Sequence, residues 1–284
     1  MASDVVRDAA QQPLSPGELI HIGNGTLAVT IASHAGGRIA QIICEGIEWL
    51  AGYSEANAAM IAWGSYPMLP WAGRIRHGHF GFEGRVCQLP INLGPHAIHG
   101  VGFALPWQVA AHTQTQVELV LALPTDERWP FGGTAHQRIT TEGRTLRLEL
   151  AVTAGAQAMP KPVIGWHPWF LKPDAIDFQP DAAYPRDDEG IAVRPLQPPP
   201  PGPWDDCFIN TRPVLLQRAG QTLRLASNCD HWVVYDTPAG TTCMEPQSGP
   251  PDAFNLDPGI LLAPGETASA WFTLEWLAYD AKES

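Results

Sequence analysis

The sequence predicts an all-β fold, a β-sandwich or large barrel with few short helices. Three observations carry that expectation. Short alternating or continuous apolar runs recur along the chain, bounded by Gly, Pro, Asn and Asp, which is the pattern of strands and turns. Apolar residues do not recur at helical spacing over any dozen residues. The 28 prolines and 27 glycines disfavour long helices, because proline lacks the N–H donor and glycine costs about 1 kcal/mol relative to alanine.

The predicted strands begin with Leu27-Ala-Val-Thr-Ile31. Val117-Glu-Leu-Val-Leu-Ala-Leu123 and Leu146-Arg-Leu-Glu-Leu-Ala-Val152 follow. Thr222-Leu-Arg-Leu225, His231-Trp-Val-Val-Tyr235 and the stretch Ala268–Trp276 complete the set. Alternation in these runs would turn one face to a core and the other to water. Ser54–Met60 is expected to make one short helical turn. Residues 1–16 are polar, alanine-rich and end in Pro13-Leu-Ser-Pro16, and read as a mobile arm. Residues 17–284 read as a single domain. All-β domains reach roughly 200–250 residues, and no repeat or composition break divides this one. Pro198–Pro203 has strand-like runs on both sides and reads as a stiff loop rather than a linker.

Composition narrows the partners. Hydrophobic residues make up 45% of the chain and charged residues 16%, enough to build a sizeable core. The formal charge of -12 repels phosphates and anionic membranes, so neither nucleic acid nor a membrane surface is expected as a partner. No run of 18 apolar residues is present, so no helical membrane span is expected. The start, Met1-Ala-Ser-Asp-Val-Val-Arg7, does not read as a signal peptide. Cys44, Cys87, Cys207, Cys229 and Cys243 are odd in number and scattered, which fits reduced thiols in a cytoplasmic protein. A monomer is the expected state, since no coiled-coil pattern appears.

Four segments set ionisable residues among Gly, Pro and Trp in expected loops, where function concentrates. Tyr66–Phe82 carries Arg74 and Arg76, and a guanidinium there would fork two hydroxyls. Asn92–Gly100 carries His99 before a glycine. Ile164-Gly-Trp-His-Pro-Trp-Phe170 holds His167 before a proline that keeps it extended, with Trp166 and Trp169 offering apolar faces. Cys243-Met-Glu-Pro-Gln-Ser-Gly-Pro-Pro-Asp252 places Glu245 where a strand meets a proline-rich loop. Its carboxyl is expected to be partly desolvated yet charged near neutrality, as a general base requires. In Trp204-Asp-Asp-Cys-Phe208, either Asp205 or Asp206 would accept hydroxyl protons.

Taken together, these segments resemble the aldose 1-epimerase (galactose mutarotase-like) family over roughly residues 18–276. Arg74-Ile75, Gly81-Phe-Glu-Gly84, Leu89-Pro-Ile-Asn92 and His99-Gly100 resemble its N-terminal block. Gly165–Phe170 resembles its histidine motif, Asp205-Asp-Cys-Phe208 its aspartate motif, and Glu245-Pro with Pro250-Pro-Asp-Ala-Phe254 its glutamate motif. The resemblance implies a large antiparallel β-sandwich with a sugar cleft on one face. It implies Glu245 as base, His167 as acid and His99 as a second active-site histidine. Arg74 and Asp206 would bind a neutral sugar, with Trp169 beside it, and the chemistry would need no cofactor or metal. Ser65-Tyr-Pro-Met-Leu-Pro-Trp-Ala-Gly-Arg74 departs from the Asn-Pro start common in the family, and the bulky Trp71 would reshape the pocket.

Three rival readings compete with this one. A non-catalytic or regulatory sugar-binding module would share the fold without the activity. A cupin-like metal enzyme would use His77, His79 and Glu83. A glycoside hydrolase would pair Asp206 with Glu245.

Overall fold

The computed structural model describes residues 8–278. Two large sheets face each other. In the ten-stranded sheet the spatial order is Ile20–Gly23, Leu27–Ala32, Arg38–Cys44, Ser65–Met68, Gly165–Leu171, Thr241–Gln247, His231–Tyr235, Asp205–Ile209 and Ala182–Tyr184, with Ile47–Glu48 added on Arg38–Cys44. The eight-stranded sheet runs Gln108–His112, Gln116–Ala122, Thr134–Glu142, Thr145–Thr153, Thr267–Trp276, Gln221–Ser227, Val214–Arg218 and Ala175–Asp177. Neighbouring strands pair antiparallel throughout both sheets.

Alternation in the sequence becomes alternation in burial. Along Thr145–Thr153 every second residue is buried. Leu146 pairs with Leu274, Leu148 with Phe272 and Leu150 with Ala270, so their side chains share one inward face. Phe272 also meets Trp166 and Trp232 of the opposite sheet, at ring-centroid distances of 5.9 and 6.0 Å. One continuous apolar cluster therefore joins the two sheets. Truncating such a leucine to alanine typically costs about 2–5 kcal/mol.

The two central strands of the larger sheet behave differently. Gly165–Leu171 and Thr241–Gln247 are buried on both faces. Trp166, Phe170 and Met244 point into the core. The opposite face carries His167, Trp169, Glu245 and Gln247 under a roof of loops, and that roof encloses the site.

Two sequence expectations fail. Ser54–Met60 forms no helix. Ser54 and Asn57 instead close a turn, in which Asn57 N donates to Ser54 O at 2.9 Å and to the Ser54 hydroxyl at 3.1 Å. Serine and asparagine favour such local side-chain bonds over a helical ladder. The one α-helical turn is Ala253–Leu256, among the described residues. The mobile arm expected over 1–16 is also corrected in part. Residues 1–7 lie outside those described, whereas the following stretch is docked. Ala10 is buried, its N–H donates to Asn92 O and its carbonyl accepts from Ile61 N, while Met60 N donates to Gln12 O.

Candidate active site

A cavity of about 270 Å³ opens on the loop-covered face of the larger sheet. His99, His167, Glu245, Arg74, Trp169 and Asp205 line it, together with Tyr235 and Gln247. Strand register explains much of this convergence. Gly165 pairs with Gln247 and Trp169 with Cys243, which sets His167 opposite Glu245. Nε2 of His167 lies 3.2 Å from Oε1 of Glu245.

His167 is held from both sides. Tyr66 stacks on its ring at 4.7 Å and Trp169 at 5.2 Å between centroids. Both aromatic partners are anchored on one carbonyl, as the Tyr66 hydroxyl and Trp169 Nε1 donate to Ile61 O at 3.1 and 2.7 Å. Behind Tyr66 lies Arg38, wholly buried, whose guanidinium donates to the carbonyls of Ala35, Met60, Trp63 and Phe103. Its pKa is lowered by burial to about 9.

His99 arrives by a different route. Arg74–Ile75 pairs with Ala97–Ile98. At the end of that ribbon, His99 N donates to Gly73 O at 3.0 Å, and Gly73 N donates to His99 Nδ1 at 3.3 Å. An Nδ1 that accepts carries no proton, so in the neutral ring Nε2 is the N–H donor. His99 has φ +58 and Gly100 φ +73. A non-glycine residue in that region is uncommon and marks a conformation imposed by its surroundings. A Cβ at Gly100 would meet Leu69 O at 1.9 Å, so only glycine fits there.

Burial sets the protonation of the central pair. His167 is held down to about 3, first by loss of solvent and then by the charge of Arg38. Burial pushes Glu245 well up, and Asp205 adds to the rise, while Gln247 and Arg74 oppose it. Burial at Glu245 therefore works against the charge that a general base carries near neutrality. Desolvation favours the neutral form of both groups, which places the shared proton on the carboxyl. His99 is likewise pushed well below its usual range by burial and by His167.

Two unpaired atoms remain in this tight setting. Gln247 donates Nε2 to Glu245 Oε2 at 3.2 Å, yet its Oε1 is buried with no partner among the described residues, and so is Nδ1 of His167. Buried polar atoms without partners are uncommon, and an acceptor on a cavity wall is ready for a ligand hydroxyl. Arg74 also lacks a carboxylate within ion-pair distance among the described residues, and burial lowers its pKa.

Asp206 is not among the residues that line the cavity. Strand side chains alternate, and Asp205, opposite Tyr235, is the aspartate that lines the cavity. Asp206 pairs with Val234, whose side chain belongs to the core. Arg186 donates to the Asp205 carboxylate at 2.7 Å. The segment around it is bridged at Arg186 and Ala192, and Arg76 ties it down through Asp187 and Glu189. Composition and spacing gave no sign of this clasp, of Gln247 as a site residue, or of Arg38. Gln247 was accessible in principle, since it lies two residues beyond Glu245 on the same strand face.

The cupin-like set does not assemble. His77 Nε2 contacts Glu189 at 3.1 Å, while His79 and Glu83 are exposed on and beside a separate hairpin. No group containing them could hold a metal among the described residues.

The family model for aldose 1-epimerase matches residues 18–275. The chain belongs to the aldose 1-epimerase family. An uncharacterized protein of Escherichia coli strain K12, YphB, is 26% identical over 271 residues, covering 75% of this chain and 84% of that protein. A galactose mutarotase-like protein from Clostridium acetobutylicum matches with a TM-score of 0.81 at 15% identity, over 93% of this chain and 97% of the other. The galactose 1-epimerase from Lactobacillus acidophilus matches with a TM-score of 0.74 at 16% identity, over 94% and 97%. These likenesses show the galactose mutarotase-like sandwich fold for this family member. No helix among the described residues is long and apolar enough to cross a membrane.

Proposed function

We propose that the protein interconverts the α and β anomers of a neutral aldose by opening and reclosing its ring. The contact of 3.2 Å between His167 and Glu245, beside a cavity of about 270 Å³, is the observation that carries this reading. The volume lies near the lower end of the roughly 300–1,000 Å³ typical of small-ligand sites, and so suits one monosaccharide.

Ring opening removes the proton from the C1 hydroxyl and delivers one to the ring oxygen as the C1–O5 bond breaks. The aldehyde then turns about C1–C2 and closes on its other face, with both transfers reversed. One mobile proton shared by two groups is sufficient. Glu245 takes the O1 proton and His167 donates to O5. In the empty cavity that proton rests on the carboxyl, so it crosses to His167 as the sugar enters. Arg74 and the Gln247 amide favour the carboxylate, and the rings stacked on His167 favour an imidazolium between them. His99, with Nε2–H turned to the ligand, donates to a sugar oxygen. Arg74, Asp205 and Gln247 Oε1 hold hydroxyls away from C1, and Trp169 offers an apolar wall to C–H groups. Each positioned acid or base contributes roughly 10²–10⁴-fold.

A neutral substrate fits better than a phosphorylated one. Asp187 and Glu189 occupy Arg76, and Glu245 and Asp205 both border the cavity. Polarimetry on freshly dissolved α-aldoses tests the reading. The purified protein speeds the change in rotation for at least one neutral aldose. Saturable sugar binding without any acceleration would instead indicate a binding module.

A further inference from the structure

Cys243 has no part in the proton transfers above, yet it sits against the pair that performs them. It lies two residues before Glu245 on one strand and is wholly buried. A ring nitrogen of His167, the Cys243 sulfur and a carboxylate oxygen of Glu245 lie within 4.8 Å of one another. Among the described residues this is the one such group of three metal-binding donors.

The donor types suit a borderline divalent ion. Tetrahedral zinc takes nitrogen, sulfur and oxygen at about 2.0–2.3 Å, which sets its ligands roughly 3.3–3.8 Å apart. His167 and Glu245 already stand at 3.2 Å, so only a modest inward shift of the sulfur completes the set. Charge balance favours the same ions. A thiolate and a carboxylate carry two negative charges, the imidazole is neutral, and a divalent cation brings the buried group to zero net charge. Oxygen-seeking magnesium and calcium gain little from a thiolate. His167 and Glu245 also line the cavity, from which water or a sugar oxygen would supply a fourth ligand, as in three-ligand zinc sites.

We propose that His167, Cys243 and Glu245 form a binding site for one zinc-class ion, and that its occupancy competes with proton transfer by the same residues. Binding replaces the S–H bond by a sulfur–metal bond and releases the thiol proton to solvent, with no change of oxidation state. Any proton on Glu245 leaves with it. Binding itself stands without the mutarotase reading; only the inhibition rests on it.

Cobalt(II) is the probe, added to the chelator-washed full-length protein. One equivalent produces thiolate-to-cobalt charge-transfer absorption, which zinc(II) abolishes by displacement. Cys243→Ser removes that absorption, whereas Cys87→Ser keeps it. Glu245→Gln retains a thiolate but weakens binding at least tenfold, and it decides the matter if Cys243→Ser fails to fold. Loss of one ligand is expected to cost no less than the roughly 10–100-fold seen for outer-shell partners. Absent absorption, its persistence in folded Cys243→Ser, or undiminished affinity in Glu245→Gln overturns the site. Anomeric exchange by the metal-free protein, followed in parallel, reports separately on the catalytic reading.

Discussion

His167 and Glu245 face each other across adjacent antiparallel strands, their Nε2 and Oε1 atoms 3.2 Å apart and both side chains almost wholly out of solvent. Neither group is neutralised by a formal counter-charge of its own. Arg38, the buried cation behind His167, is satisfied by carbonyls. Burial disfavours the charged form of both partners, and a pair so matched is poised to pass one proton in either direction, which a reaction that is its own reverse requires.

This arrangement makes stability depend on pH in opposite senses for the two residues. With His167 held near 3, the unfolded chain binds a proton between about pH 3 and pH 6.5 that the folded chain refuses. Stability is then lost as pH falls through that window, by at most about 1.4 kcal/mol per pH unit. Glu245 is raised from 4.5, so the unfolded chain ionises first and stability is lost as pH rises from there. Urea denaturation across this range should show His167→Gln flattening the acid side and Glu245→Gln flattening the other. An unchanged acid limb in His167→Gln would contradict the buried neutral imidazole.

Adjacent aspartates give a sharper test of substrate contact. Asp205→Asn should raise KM by about 10- to 100-fold, consistent with about 1.5–3 kcal/mol for a hydrogen bond to a charged group. Asp206→Asn should leave KM within about twofold, because its side chain is not on the cavity wall. Steady-state anomerisation kinetics on the two variants distinguishes them, and the reverse ranking would show that the strand presents its other face.

Gly100→Ala should lower the melting temperature more than Gly220→Ala. Both glycines have positive φ, at +73 and +77, but a Cβ at Gly220 meets nothing within 4 Å. Left-handed strain alone costs roughly 1–2 kcal/mol. The clash with Leu69 O adds to it at Gly100, and His99 moves with the turn. Equal melting temperatures would mean that the turn relaxes freely.

Much of the fold was legible because burial follows period-two alternation. Leu146–Val152 and Ala268–Trp276 lie within strands one or two residues longer than predicted. His231–Tyr235 matches its strand. Strands buried on both faces were harder to read, since Gly165–Leu171 and Thr241–Gln247 lack alternation. Their ionisable residues nevertheless stood out, and His167 and Glu245 border one cavity with Trp169, and with His99 and Arg74 from the sequence's other marked segments. The choice between Asp205 and Asp206 as the cavity-lining aspartate was not legible, because a shift of one residue reverses which face a side chain takes. Only register against Tyr235 resolves it. Arg38 and the Arg186–Asp205 clasp depend on contacts between distant segments, which spacing along the chain does not encode. The depth of burial at Glu245 was not legible, because burial is a property of the assembled loops.

The most direct test compares α-to-β exchange by NMR saturation transfer in the wild-type protein and Glu245→Gln, with a neutral aldose and folding checked by circular dichroism. The account predicts catalysed exchange in the wild type and a fall of at least about 10²-fold in the variant. A folded Glu245→Gln protein that exchanges anomers at the wild-type rate would contradict it.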